Sequence, residues 1–381
     1  MLTVQIAHSQ NQSLYRDKAA SAQIATAADF LYGYRLEQAD SCLKRLTPKW
    51  GNHPGYLIFQ GLIMYWRYMP VSLYSKEYAR YKATMERAAT TAEEMLAKDE
   101  DDPEATFFCM MAYSVLGRQA SEDGESMKAV NYSRKAFSHL KKGFEMEKRY
   151  PEFYFSTGIF KYYRVRYPED HPIYKPFVAL FPDGNKAEGL ASLEVAAEKG
   201  IYTRTEALTF LTLITLHYEE QPARGLAYAQ QLVKHYPANP FFRILMSEAL
   251  IMNGRSDEVP QHAIYAGRFP SPLLKAGSSA MMGWHFEKNG DKEKARQYYQ
   301  DALTRSEGIK KAADNSKSIA LAGMARLSAS KGEFHRAKQY FRQVLDITNN
   351  TYLRDEAHRY IRRLDENGDK IPRREMKKPK G

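Results

Sequence analysis

The stretch GWHFEKNGDKEKARQYYQDA, residues 283–302, decides the fold. Gly283 stands twelve residues before Ala295, Gly290 five before it, Tyr299 four after it and Ala302 seven after it. A second stretch, ARLSASKGEFHRAKQYFRQV at 325–344, repeats that spacing with Ala325, Gly332, Ala337, Phe341 and Val344. Each place has a packing cause. A small residue lets two helices approach closely, and the side chain four residues later fills the adjacent hole. A glycine between the helices suits a left-handed cap in a tight turn.

Working outward, the same second-helix place is taken by Gly189, Gly225, Val259, Ala295 and Ala337, at separations of 36, 34, 36 and 42 residues. Four residues later come Leu193, Ala229, Ala263, Tyr299 and Phe341, and seven later Ala196, Leu232, Ala266, Ala302 and Val344. Such a period predicts stacked helical hairpins, which usually bind other proteins.

The rest of the chain fits an all-α reading. Alternating valine, isoleucine and threonine runs are absent, helix formers fill long segments, and prolines gather at the gaps. The pairs expected are 17–34 with 35–46, 56–68 with 76–98, 104–116 with 126–148, and 152–166 with 186–199. Then come 205–219 with 223–235, 240–252 with 257–267, 273–288 with 292–306, and 316–330 with 334–347. A last segment, 352–367, reads as a capping helix.

Gly283, Phe286, Gly290, Ala295, Tyr299 and Ala302 match six signature places of the tetratricopeptide repeat family, and Tyr236-Pro237 matches its repeat-ending proline. The chain resembles that superfamily well over 150–347 and more loosely over 17–148. The resemblance implies a right-handed α-solenoid of stacked antiparallel helix pairs. Two departures stand out: Val259 replaces the usual small residue, and most copies lack the family's early tryptophan. The domain reading is a flexible N-terminus at 1–16 and divergent hairpins at 17–148. An array at 149–367 follows, with an inserted loop at 167–184, and a basic disordered tail runs over 368–381. The loop, YPEDHPIYKPFVALFPDG, holds four prolines and four aromatics and adds about 18 residues to one repeat. Long irregular loops in compact arrays are often functional.

Bulk properties narrow the function classes. Among 381 residues, 44% are hydrophobic and 27% charged, which suits a chain with a real core. No apolar run approaches the roughly 18 residues that span a membrane. The net charge of +11 is uneven: Lys370 to Gly381 holds six basic residues and one acid. The two cysteines, Cys42 and Cys109, sit among apolar residues, where a buried free thiol is expected. The opening MLTVQIAHSQ lacks the basic and apolar regions of a secretory signal but could be the end of one. Localisation is therefore open between cytoplasm and, for a clipped signal, a bacterial periplasm.

Signatures of chemistry are missing. There is no P-loop, GxGxxG, GxSxG or HExxH, and ten histidines are scattered without metal-ligand spacing. Asp365, Asn367 and Asp369 begin like a calcium loop, but Lys370 and Met376 fall where glycine and glutamate are required. No catalytic residue, cofactor or metal is expected.

In tetratricopeptide arrays the first helix of each pair lines the concave surface. Carried over from the family, the inward places include Tyr162 and Tyr163, His217 and Tyr218, Trp284, Glu287 and Lys288, and Arg326. Aromatics beside cations suit partner binding, because such side chains bury large area and keep a polar tip. The expected function is a non-catalytic scaffold that binds a protein or peptide segment in the groove, with nucleic acid disfavoured. The alternative is an electrostatic binder of an acidic polymer or envelope surface. It would use the tail and the basic-aromatic run KYYRVRY at 161–167.

Overall fold

Helix starts are written plainly into this chain. Proline opens the first turn at Pro54, Pro103 and Pro272, where a missing N–H is no loss. Side-chain caps add to it: the Asp102 carboxylate accepts from the amides of Glu104 and Ala105 at 2.9 and 3.2 Å, and Asp291 caps Lys294 at 3.1 Å.

The computed structural model describes residues 13–170 and 182–367. Among the described residues every regular element is helical. In chain order they are α1 (Lys18–Tyr32), α2 (Leu36–Lys44), α3 (Thr47–Trp50), α4 (Pro54–Tyr68), α5 (Tyr78–Leu96) and α6 (Pro103–Glu122). Next come α7 (Ser126–Met146), α8 (Phe153–Asp170), α9 (Lys186–Lys199), α10 (Arg204–His217), α11 (Pro222–His235) and α12 (Pro240–Met252). The last are α13 (Val259–Gly267), α14 (Pro272–Lys288), α15 (Lys292–Arg305), α16 (Asp314–Ser330), α17 (Phe334–Ile347) and α18 (Thr351–Asn367).

Neighbouring helices pack in pairs, so the fold is the expected all-α stack of hairpins. Boundaries differ in informative places. Pro48, just beyond the expected end of the first pair at 46, sits in the first turn of the one-turn α3. Helix α6 runs to Glu122, well past the expected Leu116. Helix α13 starts at Val259 after a short 3-10 turn, Ser256–Glu258, with Pro260 in its first turn. Helix α8 continues through Tyr167 to Asp170, so the expected loop begins later. The calls on residues 1–12, 171–181 and 368–381 lie outside the described residues.

Two compact units form. Unit 1 comprises Met1–Leu211 and Lys234–Asn239, and unit 2 comprises Thr212–Val233 and Pro240–Gly381. Unit 1 closes on itself. The Tyr32 hydroxyl on α1 donates to Glu206 on α10 at 2.9 Å, Tyr236 donates to Asp29 at 3.0 Å, and the Asn239 amide donates to the Tyr32 carbonyl at 2.9 Å. Those bonds explain why 234–239 belongs to the first unit.

The repeat places are core places. Leu193, Ala196, Ala229, Leu232, Val259, Ala263, Ala266, Ala295, Tyr299, Ala302, Ala337, Phe341 and Val344 are all buried. The small residues do what the spacing predicts. A Cβ on Gly158 would lie 2.9 Å from the Gly189 carbonyl, so α8 and α9 touch backbone to backbone. Ring Tyr299 fills the space between two glycines: a Cβ on Gly283 would meet it at 2.6 Å and one on Gly323 at 2.1 Å.

The left-handed turn that joins six of the pairs is shared more widely than its sequence. Gly254, Gly290 and Gly332 have φ of +73°, +82° and +79°, as their position requires. Gly124 has φ +81°, and the equivalent place holds Tyr34 at φ +56° and Glu220 at φ +51°. The next residue donates back to the preceding helix, as Arg35 does to the Phe30 carbonyl at 2.8 Å, and Asp291 to that of Phe286 at 2.9 Å. This is a Schellman-type cap, and it is kept at Tyr34, where a non-glycine residue carries the left-handed strain, whereas after Glu220 the Gln221 amide reaches one residue further, to the Thr215 carbonyl at 3.0 Å.

Candidate partner-binding face

In unit 2 the first helices of successive pairs carry two polar ladders. Glu287 on α14 receives a bidentate pair from Arg326 on α16, at 2.6 and 2.8 Å. Arg326 also donates to Glu356 on α18 at 2.8 Å. The buried Tyr299 hydroxyl donates to Glu287 at 2.6 Å. Burial works against the Arg326 charge. Glu287, with Tyr299 and Glu356, outweighs it and raises the guanidinium's pKa, so the residue stays charged. The second ladder joins His217 on α10 to Glu248 on α12 at 2.8 Å, and Glu248 to Asn315 on α16 at 3.1 Å.

These ladders decide what the predicted residues do. Arg326 on α16 bridges the first helix α14 to the capping helix α18, and His217, 9% exposed, bonds to a Glu248 that is 1% exposed. Both fix helix spacing. Trp284 is 3% exposed and packs against Tyr352, with ring centroids 6.2 Å apart. Tyr162 is 0% exposed and lies where α8 meets α9. A buried ring offers a partner no surface, so Trp284 and Tyr162 are packing residues here. The physical reason is the close approach that the small residues permit, which swallows large neighbours on the same helix. Of the other predicted residues, Tyr163 and Tyr218 are half-buried and Lys288 is exposed.

Unit 1 has an equivalent set that the sequence reading missed. The Arg118 guanidinium stacks over the Tyr65 ring at 4.7 Å and lies 4.0 Å from Glu122. Burial pushes the carboxyl of Glu206 up. The signal was present: Gly117 stands twelve residues before Ala129, Gly124 five before it and Ala136 seven after it. A Cβ on Gly117 would lie 3.5 Å from the hydroxyl of Ser133 on α7, four residues after Ala129, the contact that this register demands. Arg118 follows Gly117 as Trp284 follows Gly283 and Arg326 follows Ala325.

The basic run at 161–167 is no free stripe. Tyr162 is buried, Arg164 lies 3.8 Å from Asp183, and Arg166 lies 3.4 Å from Glu169. Both cysteines are buried free thiols, and burial pushes Cys109 up to about 12. Among the described residues no helix is long and apolar enough to cross a membrane.

A tetratricopeptide repeat family model matches residues 276–308 and 320–351. These are α14–α15 and α16–α17, the pairs with the clearest spacing. Over these residues the chain is built from tetratricopeptide repeats. Its repeats are matched as a family motif, not through a close relative, since a search of curated proteins finds no match. Solved structures that resemble it include yeast Tom70, at 12% identity and a TM-score of 0.40, covering 92% of this chain and 81% of that one. Another is the human IFIT1 dimer with PPP-AAAA, at 13% identity and a TM-score of 0.48, covering 93% of this chain and 77% of that one. Both scores fall below 0.5, so neither adds to the assignment. Tetratricopeptide repeats generally bind proteins or peptides and are generally non-catalytic, which supports an interaction scaffold. None of these findings favours the electrostatic alternative.

Proposed function

We propose that the chain is a non-catalytic scaffold that binds a protein segment on the first-helix face of unit 2. The supporting observation is the pair of polar ladders, His217–Glu248–Asn315 and Glu287–Arg326–Glu356. They hold four first helices and the capping helix at fixed spacing before any partner arrives. A preformed surface loses little entropy on binding. Tyr218 supplies an amphipathic ring and Lys288 a mobile cation, and both lie next to ladder residues without being consumed by the core.

Affinity capture from the native host tests this reading, with Tyr218→Ala combined with Lys288→Glu. Neither change removes a fully buried side chain, so the fold should survive, as far-UV circular dichroism would verify. Loss of captured protein from the folded double variant supports the groove. Undiminished capture contradicts it.

A further inference from the structure

The N-terminal segment Ser13–Asp17 lies over a buried acid in unit 1. Leu14 is fully buried, and its Cδ2 lies 2.9 Å from where a Cβ on Gly55 would stand. The Tyr15 amide donates to Glu104 Oε1 at 3.0 Å, and the Tyr15 ring packs on Tyr150 with centroids 4.7 Å apart. Asp17 then caps α1 through the Ala20 amide at 3.0 Å and pairs with Lys49 at 2.7 Å.

The Tyr15 amide, with Ser13 and Leu14 beside it, donates towards Glu104 and favours its anion, but burial outweighs these bonds and no cation pairs with the carboxyl. Glu104 is 2% exposed, and its Oε2 has no hydrogen-bond partner. Its nearest basic group is His53, whose Nε2 lies 3.9 Å from Oε1. His53 Nδ1 accepts the Gly55 amide at 3.2 Å, which requires a neutral ring with its proton on Nε2. That ring is boxed by Trp50 and Phe108, at 5.3 and 5.7 Å. The other polar groups around Glu104 bring no positive charge. They are the Ser13 hydroxyl, Asp102 at the start of the same helix, the phenols of Tyr150 and Tyr202, and the buried Glu152 beyond them. A buried carboxylate without a cation favours its protonated form.

We propose that Ser13–Asp17 is a proton-gated strap, which closes over neutral Glu104 and loosens when that carboxyl ionises. Burial raises Glu104 to about 7 and lowers His53 to about 4, consistent with both being neutral in the closed state. The sign follows from linkage. A carboxyl whose closed-state pKa is raised favours closure at low pH, and that preference is lost as pH rises through about 7. His53, lowered from 6.5, acts in the opposite sense: its contribution is present above 6.5 and is lost as pH falls through about 4. Any His53 effect must therefore be divided out.

The experiment is amide hydrogen exchange at Tyr15 from pH 4.5 to 8, corrected for intrinsic rate, in the wild type and in Glu104→Gln. Glutamine keeps the acceptor and cannot ionise, so the wild-type to variant ratio of protection isolates Glu104. That ratio should fall as pH rises towards 7, by at most roughly a hundredfold across the range. A ratio that does not change with pH overturns the strap. If Glu104→Gln does not fold, the wild type alone decides, through the carboxyl 13C shift of Glu104 followed beside Tyr15 opening. Opening that shows no break where Glu104 titrates would equally overturn it.

Discussion

Tyr299 shows how one side chain can carry several requirements of the repeat. Its ring occupies the space left by Gly283 and Gly323, and its hydroxyl reaches Glu287, which anchors Arg326. Adding a methyl at Gly323 would place a carbon 2.1 Å from the ring. Gly323→Ala is therefore expected to cost about 1–3 kcal/mol in urea unfolding. Truncating Trp284 to alanine should cost about 3–5 kcal/mol, as for a core aromatic. Lys288→Ala should stay within about 0.5 kcal/mol, as for an exposed side chain. Equal effects at Trp284 and Lys288 would mean that the burial assigned to them is wrong. Arg326→Met would strand Glu287 and Glu356 without their cation, and a loss of about 3–5 kcal/mol is expected. At this scale the sequence was legible where spacing fixes contacts, as at Ala295, Tyr299 and Ala302. It was not legible at Trp284. Family register placed that ring on a face, but how deeply Trp284 sinks depends on Tyr352, a neighbour from the capping helix.

Among the elements, the left-handed turn that joins six of the pairs is the shared feature. Its left-handed residue is glycine at 124, 254, 290 and 332, yet Tyr34 and Glu220 adopt the same conformation. A side chain in that region costs roughly 1 kcal/mol or more relative to glycine. Glu220 is exposed, so Glu220→Gly should stabilise the chain by about 0.5–1 kcal/mol, read as a raised urea midpoint with an unchanged slope. Gly332→Ala should destabilise by a similar amount. Opposite signs at the two places would test the turn assignment without touching the core. Helix existence and pairing could be read from the sequence, because period and proline placement are local. Several boundaries could not. Pro48 sits in the first turn of α3, just beyond the expected end of the first pair, and α6 runs past Leu116 to the turn at Gly124, which only the Gly117–Ala129 register would have revealed.

For the whole molecule, each unit is a stack of helix pairs, and the chemistry of the first-helix faces is set by position within the repeat. Unit 1 closes through Tyr32, Asp29 and Asn239, residues more than two hundred positions from some of their partners, which no local pattern could foretell. Unit 2 keeps its first helices at fixed spacing through ionic and polar ladders. The central claim is that a protein segment docks on that face. Site-specific photocrosslinking in the native host tests it most directly, with a benzophenone side chain placed at Tyr218 or Lys288. Controls at Gln300 and Gln339 occupy exposed places on the second helices α15 and α17. The account predicts a discrete protein adduct from positions 218 and 288 and none from 300 and 339. Adducts only from 300 or 339, or the same adducts from all four positions, would contradict it.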